Sequence, residues 1–540
     1  MCEVLRDNLD DHIQDIAESI KTCCFIAIDT EFSGLKSSLE TKPSLFDDGE
    51  ERYRKLRGSS SQFLIVQFGL SMYHKLPDKN KYEAHTYNFY LYPSSFGPRD
   101  VRFLCQASSF EFLCKHNFDF NKFVYNGISY MNEEEECEMR RHISTGKLFQ
   151  GLDREFDERE LQEYCSAVAV WLSKAKDGET FDLNVDKRND VIEYIVHMEL
   201  RQRFDTVWTR RQGDKITVEK VPACEKQKLE LTDDFSQVKL ENRIMDSLLG
   251  FTRIFRLLIQ HKKPLVGHNM LTDLLLMYDK FHQPLPDSYK EFKNELHRIF
   301  PTIIDTKHIS SNLRKLYEGT GLMESTNLMD LYTALNSYKG RFKVLYSPDI
   351  CHGEAFWRYE RDHHPHEAGY DSFIAGNVFI RMCHLLCNEG IKSTSASPME
   401  FYQYMRTIEP YKNKINVIRA SLNHICLDGE DPISKRPELL YVQPRNPGSN
   451  LSSSQLAMMM SQFGSVDIKM QGTRHALVAV GNYRCMWDIL KAYKKDPDIA
   501  VVKYNYWRHS QTARRLLWSG VLLGGGITLL ALVTSNTKHR

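Results

Sequence analysis

Two short apolar runs constrain the fold of this chain more than any other feature. FIAID, at residues 25–29, and KPLVGH, at residues 263–268, are each typical of a buried strand. Residues 61–73 and 82–93 alternate and are rich in aromatic and β-branched side chains, as antiparallel strands are. The fold class is therefore expected to be α/β. Helical patterns lie near 5–22, 108–118, 132–150, 157–174, 188–204 and 372–387, a further helix begins near Asn269, and residues 301–309 are strand-like.

The composition limits how the chain could bind a polyanion. Its formal net charge is zero, so nucleic acid would have to be held by local patches or metal ions. The first twenty residues read as an acidic amphipathic helix and not as a secretory signal. We therefore expect the thirteen cysteines to be reduced thiols facing the cytosol.

Carboxylates follow both apolar runs. Asp29 and Glu31 stand two residues apart directly after a predicted strand, so they point to the same side of it. Asp273 lies in the first turns of the helix that begins near Asn269, where the helix dipole tolerates a carboxylate. In HEAGYD, His366 precedes Asp371 by five positions, just before an apolar helix. Each of these features alone is common in proteins without a site there.

Together, these features predict a site for hard divalent cations. Four carboxylates without cysteine suit Mg²⁺ or Mn²⁺. They can hold two ions about 4 Å apart, the spacing that clamps a scissile phosphate. A neutral His366 can take the proton of the attacking water. A zinc cluster is the alternative for three nearby histidines, although no ligand spacing of zinc type accompanies them: His352, His363 and His364.

The segments DTEFSGL, LVGHNMLTD and HEAGYD, in this order and separation, resemble the DEDDh exonuclease motifs of the poly(A)-specific ribonuclease (PARN) family of deadenylases. FDFNKFVYNGISYMNEEEE, at 118–136, also resembles that family, and the likeness covers most of residues 1–395. It implies an RNase H-like DEDD exonuclease core, a mixed sheet with flanking helices. It also implies a metal-dependent 3′→5′ exoribonuclease that uses two Mg²⁺ ions, or Mn²⁺, and releases nucleoside 5′-monophosphates.

The same resemblance implies roles for individual residues. Phe32 and Leu35 would pack against the terminal base, and Lys307 would contact a phosphate or a base of the RNA. Core packing, or a surface position for the lysine, explains these three residues equally well. The implied general base is His366. The implied metal ligands are Asp29, Glu31, Asp273 and Asp371.

Changes in composition divide the chain into expected domains. The two parts of the nuclease core are expected at 1–150 and 239–395, with a mainly helical insertion at 151–238 between them. In the PARN family this insertion carries a nucleic-acid-binding module with an Arg-x3-His signature. Here Ile192 stands four residues after Arg188, and His197 lies further on, so the module would be degenerate. Interleaved basic and aromatic residues could track RNA there, or form a solvated helix face: Arg201, Arg203, Phe204, Trp208, Arg210 and Arg211.

The C-terminal third predicts a second small domain. After a linker at 396–434, residues 435–508 read strand–helix–strand–strand–helix–strand, the order of an RNA-recognition motif (RRM). Tyr441 is a possible stacking ring, but Ala476 and Val478 stand where stacking aromatics are expected. We expect weak RNA binding by this degenerate α+β domain, and a packing or dimerisation role is the alternative.

The last apolar segment predicts a transmembrane helix. LLWSGVLLGGGITLLALVT, at 516–534, carries no charge and is long enough to cross a bilayer, although a buried core helix is the alternative. Basic residues precede it, which favours a cytosolic location for the rest of the chain. The sequence thus predicts a C-terminal anchor at 514–535 in the endoplasmic reticulum membrane or, alternatively, in the outer mitochondrial membrane.

Within the PARN resemblance, the anchor points to the PARN-like branch, whose members resemble trimmers of PIWI-interacting RNA precursors. The expected substrate is therefore a single-stranded RNA 3′ end, from poly(A) or from such precursors. A PIWI-family protein, a membrane-bound adaptor and a homodimer are the partners that follow. Two other functions stay open, a DNA 3′-exonuclease and a catalytically silent RNA-binding scaffold on a membrane.

Overall fold

The computed structural model describes residues 3–35, 41–95, 99–144, 155–184, 190–212, 215–232, 234–356, 358–361, 363–388, 398–510 and 512–513. These residues fall into two compact units. The first is drawn from Met1–Thr41, Leu56–Asn416 and Cys426–Gly429, and the second from Lys42–Lys55, Val417–Ile425 and Glu430–Arg540.

Among the strands of the described residues, β2, β3 and β4 are the longest. Their bounds are β1 Glu3–Val4, β2 Phe25–Phe32, β3 Ile65–Lys75, β4 Lys81–Tyr90, β5 Thr180–Leu183, β6 Val207–Gln212, β7 Lys215–Lys220, β8 Leu265–Gly267, β9 Ile303–Asp305, β10 Asp349–His352, β11 Lys414–Asn416, β12 His424–Cys426, β13 Leu440–Pro444, β14 Val466–Met470, β15 Ala476–Val480 and β16 Ile499–Lys503.

The helices lie between these strands, with short 3-10 turns at Arg6–Asn8, Glu354–Phe356 and Glu409–Tyr411. Their bounds are α1 Leu9–Thr22, α2 Gly49–Ser60, α3 Ala107–Lys115, α4 Phe120–Asn126, α5 Glu133–Ser144, α6 Glu155–Leu172, α7 Asp190–Arg203, α8 Ala223–Thr232, α9 Asp234–Leu249, α10 Phe251–His261, α11 Leu271–Phe281, α12 Tyr289–Ile299, α13 Thr306–Leu313, α14 Leu328–Asn336, α15 Tyr338–Arg341, α16 Arg358–Arg361, α17 Ala368–Asn388, α18 Phe401–Thr407, α19 Ser453–Ser461, α20 Tyr483–Ala492 and α21 Tyr506–His509.

A seven-stranded mixed sheet forms the centre of the first unit, in the order β1-β4-β3-β2-β8-β9, with β10 beside β4. β3 and β4, the two strands predicted as antiparallel from their alternating patterns, pair in that way, and β2 is antiparallel to β3 as well. β8 and β9 run parallel to β2. β8 pairs with β2 only at Ile26 and Ala27, whereas β2 itself continues to Phe32. The polar residues at 29–31 therefore lie at an end of the sheet.

The helix α17 covers this sheet. It packs on β2, β3 and β4, and its side chains are buried on nearly every side. A helix without a polar face must lie in a core. Its first turn therefore lies over the sheet, on the same unit as the polar end of β2.

A smaller sheet lies within the predicted insertion. Strands β5, β7 and β6 are antiparallel in that order. Buried side chains from α6, α7 and these strands share one apolar core, which includes Val168, Leu200 and Val218. The insertion thus contains a small sheet in addition to its predicted helices.

In the second unit, a four-stranded antiparallel sheet has the order β14-β15-β13-β16. The elements from β13 to β16 follow the predicted order strand–helix–strand–strand–helix–strand. Helices α19 and α20 contribute Leu456, Met460, Met486 and Ile489 to the core beneath one face.

The prediction of a strand over residues 301–309 is wrong for its second half. The strand β9 ends at Asp305, and α13 begins at the next residue. Asp305 is the N-cap, and its carboxylate accepts a hydrogen bond from the backbone N–H of Lys307 at 2.9 Å. Aspartate is among the strongest N-cap residues, so this cap outweighs the β-branched character of the run.

The predicted transmembrane anchor is corrected by the structure. No helix in the described ranges combines the length and the apolar character needed to cross a bilayer. The longest, α17, is apolar because it is buried against the central sheet. The segment for which the anchor was predicted, 514–535, lies outside the described residues. The locations inferred from it, the endoplasmic reticulum and the outer mitochondrial membrane, are withdrawn with it.

Candidate active site

The end of β2 places two carboxylates on one face. Asp29 and Glu31 are half-buried and stand opposite Gly69 and Gln67 of β3. Because side chains alternate along a strand, both point to the face that α17 covers, and the intervening Thr30 points away from it. The sequence prediction that these two carboxylates share a side agrees with this placement.

The third carboxylate, Asp273, is buried in the first turn of α11. The Thr30 hydroxyl donates a hydrogen bond to Asp273 Oδ1 at 2.6 Å. The turn before the helix is held in place as well, because the backbone N–H of Asn269 donates to Asp305 Oδ1 at 2.9 Å. Thr30 was missed in the sequence, where it is only the middle residue of the D-x-E motif.

The fourth carboxylate, Asp371, lies in the first turn of α17, and His366 lies in the turn before it. His366 has a left-handed backbone, with φ of +65°. His366 Nδ1 is 3.8 Å from Asp371 Oδ2. Ligand atoms of Glu31, His366 and Asp371 lie within 4.8 Å of one another, the one such metal-ligating group found in the described part of the chain.

Three residues of the sheet hold the start of α17 in place. An added Cβ at Gly69 would lie 1.8 Å from the carbonyl oxygen of Ala368, so the helix start rests directly on the strand. The Gln67 side-chain oxygen accepts a hydrogen bond from Ala368 N–H at 2.9 Å, and that of Asn88 accepts one from Gly369 N–H at 3.0 Å. The first N–H groups of a helix have no partner within it, so these side chains cap α17 from the sheet.

A glycine in the middle of a strand is the signal that could have indicated this contact. Gly69 lies inside an apolar strand pattern, and glycine at such a position often marks the close approach of another backbone. The partner segment, however, lies about 300 residues further along the chain. No local pattern could have identified it.

Burial raises the pKa values of the four carboxylates, and repulsion between them is a smaller cause for Asp29 and Glu31. Burial is the largest cause that raises the pKa of Asp29 well above its usual range, and repulsion from Asp371 and Asp273 adds to it. Burial and the same two neighbours also raise the pKa of Glu31. Burial raises the pKa of Asp273 to about 6 and that of Asp371 to about 7. Buried carboxylates that repel one another resist full ionisation unless a cation compensates their charge.

Aromatic side chains surround His366. Its ring centroid lies 4.2 Å from that of His116 and 4.7 Å from that of Phe112. Burial, and then repulsion from His116, lower the pKa of His366, which keeps the ring neutral near pH 7. Phe112 and His116 stand four apart and thus on one side of α3 and its C-terminal cap. No pattern in the sequence connects these two residues with the site.

The three residues that the family resemblance assigned to RNA lie in different environments. Phe32 is half-buried at the end of β2, and Leu35 is 47% exposed. The amine of Lys307 donates a hydrogen bond to the carbonyl oxygen of Thr326 at 2.6 Å. Burial lowers the pKa of this lysine. Their contacts with RNA stay predictions.

The zinc alternative does not fit the three other histidines. The ring of His352 packs on Phe373, with centroids 3.8 Å apart. His363 pairs with the hydroxyl of Tyr370, and His364 lies 3.7 Å from a carboxylate oxygen of Glu367. None of the three histidines belongs to the metal-ligating group found among the described residues, which consists of Glu31, His366 and Asp371.

The arginines of the insertion have protein partners. The Arg201 guanidinium stacks at 3.7 Å on the ring of Trp208, which is only 1% exposed. Acidic residues pair with the other three arginines, in the pairs Arg203–Glu199, Arg210–Glu219 and Arg211–Glu193. These contacts favour the solvated-face interpretation over a track for RNA. Arg188 lies outside the described residues, so the degenerate signature stays a prediction.

In the second unit, the possible stacking ring of Tyr441 is covered. The ring of His509 stacks on it with centroids 4.3 Å apart, and the ring centroid of His475 lies 5.5 Å away. Its hydroxyl bonds to His475 Nδ1 at 2.7 Å, and the residue is 6% exposed. His509, the last residue of α21, therefore occupies a face of this ring on which an RNA base could stack.

Comparison with known proteins gives consistent matches over nearly the whole chain. The CAF1 family ribonuclease model matches residues 4–379. A pre-piRNA 3′-exonuclease trimmer of Bombyx mori is 35% identical over 532 residues, 98% of each chain. The poly(A)-specific ribonuclease PNLDC1 of Homo sapiens is 35% identical over 91% of this chain and 93% of its own. The poly(A)-specific ribonuclease PARN of Xenopus laevis is 30% identical over 88% of this chain and 76% of its own.

The solved structures that match are more distant. Pop2p of S. pombe, in a form with bound Mg²⁺ and Mn²⁺, is 16% identical and aligns with a TM-score of 0.34. The alignment covers 74% of this chain and 98% of that one.

Proposed function

This chain belongs to the CAF1 family of ribonucleases and is a 3′→5′ exoribonuclease, and we propose that the cluster of Asp29, Glu31, Asp273 and Asp371 is its active site. The observation that carries the proposal is that Glu31, His366 and Asp371 bring ligand atoms within 4.8 Å of one another, with Asp29 and Asp273 near enough to interact with them electrostatically. The four carboxylates come from one strand and two helix starts, and repulsion from Asp273 and Asp371 adds to burial in raising the pKa values of Asp29 and Glu31. Such a set of hard oxygen donors fits two divalent cations, Mg²⁺ or Mn²⁺.

The carboxylates would hold these cations, and their raised pKa values support that role, since a cation removes the repulsion. When bound, the metals would lower the pKa of an attacking water and neutralise charge on the scissile phosphate. Thr30 orients Asp273 through its hydroxyl, and Gln67 and Asn88 hold the helix that carries Asp371. Such outer partners set the direction of metal ligands.

His366 is the proposed general base. Nδ1 lies on the side of Asp371, which leaves Nε2 to accept a proton from the attacking water. The lowered pKa of the ring keeps it unprotonated near pH 7, the state that a base requires. The left-handed backbone at this residue turns the ring back toward the helix start that holds Asp371.

The proposed substrates are RNA 3′ ends, and precursors of PIWI-interacting RNAs are the first choice. The match to the Bombyx mori trimmer, at 35% identity over 98% of both chains, supports this choice. Poly(A) is the alternative, because the poly(A)-specific ribonuclease PNLDC1 of Homo sapiens is also 35% identical, over 91% of this chain. The products would be nucleoside 5′-monophosphates. A PIWI-type protein that holds the RNA 5′ end and a homodimer stay predictions.

The test compares two Asp→Asn substitutions in the full chain. Asp29→Asn removes a carboxylate of the cluster, and Asp287→Asn changes an exposed carboxylate whose partner is Arg57. A 5′-labelled 30-nucleotide RNA is incubated with Mg²⁺ or with EDTA. Asp29→Asn and EDTA should each abolish shortening of the RNA. The rate should fall by more than the 10–100-fold loss that is typical when only a hydrogen-bond partner of a metal ligand is changed. Asp287→Asn should match the wild type.

The same assay separates the other functions. A DNA oligomer of the same sequence should be shortened slowly or not at all, and equal rates on DNA and RNA would contradict the ribonuclease assignment. Wild-type protein that binds the RNA but leaves it intact in Mg²⁺ and in Mn²⁺ would support the silent scaffold. If Asp29→Asn shortened RNA at the wild-type rate, the active site would lie elsewhere.

A further inference from the structure

The segment 337–347, SYKGRFKVLYS, exposes an unusual amount of apolar surface on the first unit. Tyr338 is 83% exposed, Phe342 65%, Leu345 68% and Tyr346 51%. The rings of Tyr338 and Phe342 lie 4.8 Å apart. Single exposed apolar side chains are normal, but a cluster of them marks an interaction site. We refer to these four side chains, with Lys339 and Lys343, as the aromatic–basic surface.

The backbone beneath this surface is held in place. The Asn80 side-chain amide donates a hydrogen bond to the carbonyl oxygen of Tyr346 at 2.7 Å. The ring of His384, on α17, bonds to the carbonyl oxygen of Leu345 at 3.0 Å. The Arg381 guanidinium donates to the carbonyl oxygen of Pro348 at 2.7 Å. The exposed rings are thus presented on a fixed backbone, which lowers the entropic cost of binding.

The charge of the segment suits a polyanion. It contains three basic residues and no acidic residue. Arg341 pairs with Asp349 at 2.5 Å, whereas Lys339 and Lys343 face solvent. Because the formal net charge of the chain is zero, a long RNA needs local patches of this kind. Aromatic rings interleaved with cations are the combination by which proteins grip single-stranded nucleic acid.

We propose that the aromatic–basic surface binds the body of the RNA while its 3′ end lies at the carboxylate cluster. The proposal rests on the proposed function only in taking that cluster as the place of cleavage. His384, which holds Leu345, lies thirteen residues after Asp371 on α17. At 1.5 Å per residue this separation is on the order of 20 Å. At about 3.4 Å per stacked nucleotide, an RNA must be roughly six nucleotides long to reach both.

Substrate length therefore provides the test. Tyr338→Ser combined with Phe342→Ser removes both rings, and Tyr402→Ser, at a tyrosine that is 68% exposed on α18, is the matched control. kcat and KM are measured with unstructured RNAs of 5 and 30 nucleotides. The double variant should raise KM for the longer RNA by about tenfold or more for each ring that stacks a base. kcat, and both constants for the shorter RNA, should match those of the wild type and the control.

A second pair of substitutions tests the charge. Lys339→Ala combined with Lys343→Ala should reduce the slope of log Kd against log salt for the longer RNA by about 1.4. Fluorescence anisotropy with a labelled 30-nucleotide RNA in EDTA measures this binding without cleavage. If the protein binds but never cleaves, and the variants weaken binding, the surface stands while the proposed function fails.

Two results would overturn the proposal. An unchanged KM for the longer RNA in the ring variant would show that RNA does not contact the surface. An equal loss on the 5- and 30-nucleotide substrates would place the effect at the carboxylate cluster. Thermal unfolding at the wild-type temperature is expected for every variant, because each changed side chain is exposed.

Discussion

The close contact between Gly69 and Ala368 predicts that a single methyl group at the sheet will impair catalysis. Gly69→Ala would place a Cβ 1.8 Å from the carbonyl oxygen of Ala368, where ordinary contact begins at 3.4 Å. The two backbones must therefore separate by about 1.6 Å. β3 is hydrogen-bonded to a strand on each side, so the start of α17 is the part that should move.

The displacement would reach the proposed active site directly. Ala368 stands two residues after His366 and three before Asp371. A misplacement of about 1 Å at catalytic groups can cost on the order of 10²-fold in rate. Overpacking of a core also lowers the free energy of unfolding, typically by about 1–3 kcal/mol. The hydrogen bonds from Ala368 and Gly369 to the sheet would lengthen at the same time.

The measurement is kcat with a 30-nucleotide RNA, together with the free energy of unfolding by urea. Gly58→Ala is the control, because nothing lies within 4 Å of its added Cβ and the residue lies within α2. That substitution should leave kcat unchanged and stabilise the helix by about 0.5–1 kcal/mol. If Gly69→Ala kept kcat within twofold of the wild type, the contact would not determine the position of the catalytic groups.

Further predictions concern the proton balance and the supports of the site. In Thr30→Val the loss of the hydroxyl that bonds Asp273 should weaken Mn²⁺ binding about 10–100-fold, as measured by calorimetry, and unchanged affinity would contradict that support. The raised pKa values of Asp273 and Asp371, about 6 and 7, mean that the metal-free folded state retains protons that the unfolded chain releases above about pH 4. The free energy of unfolding of the metal-free protein should therefore fall as the pH rises from 4 to 8. Mg²⁺ should raise Tm more at pH 8 than at pH 5. A larger rise in Tm at pH 5 would refute the argument that a cation relieves the charge of these carboxylates. Asn88→Leu removes the acceptor for Gly369 N–H, so it should lower kcat and lower the free energy of unfolding by about 1–3 kcal/mol. Asn88→Asp keeps an acceptor and should retain more of both quantities. Equal losses in the two variants would count against the capping role.

Sequence periodicity predicted the elements that carry the carboxylates. The strand of Asp29 and the helix starts of Asp273 and Asp371 lie where the apolar patterns place them, because burial on one or two faces leaves a periodic signal. The same method failed at residues 306–309, where the N-cap Asp305 starts a helix within a strand-like run. It also left Tyr441 as a possible stacking ring, although His509 stacks on it and its hydroxyl bonds to His475.

The sequence alone determined three things: the chemistry of the carboxylate and histidine donors, their spacing within each motif, and the family resemblance. All three are local properties of short segments. Only the tertiary structure decided what these segments meet: Thr30 bonds Asp273 across 243 positions, and Gln67 bonds Ala368 across 301. The repulsion that raises the pKa values depends on distances across the fold, and so does the proximity of His116 to His366. Contacts between residues so far apart in the chain arise from the packing of whole elements, which no single segment encodes.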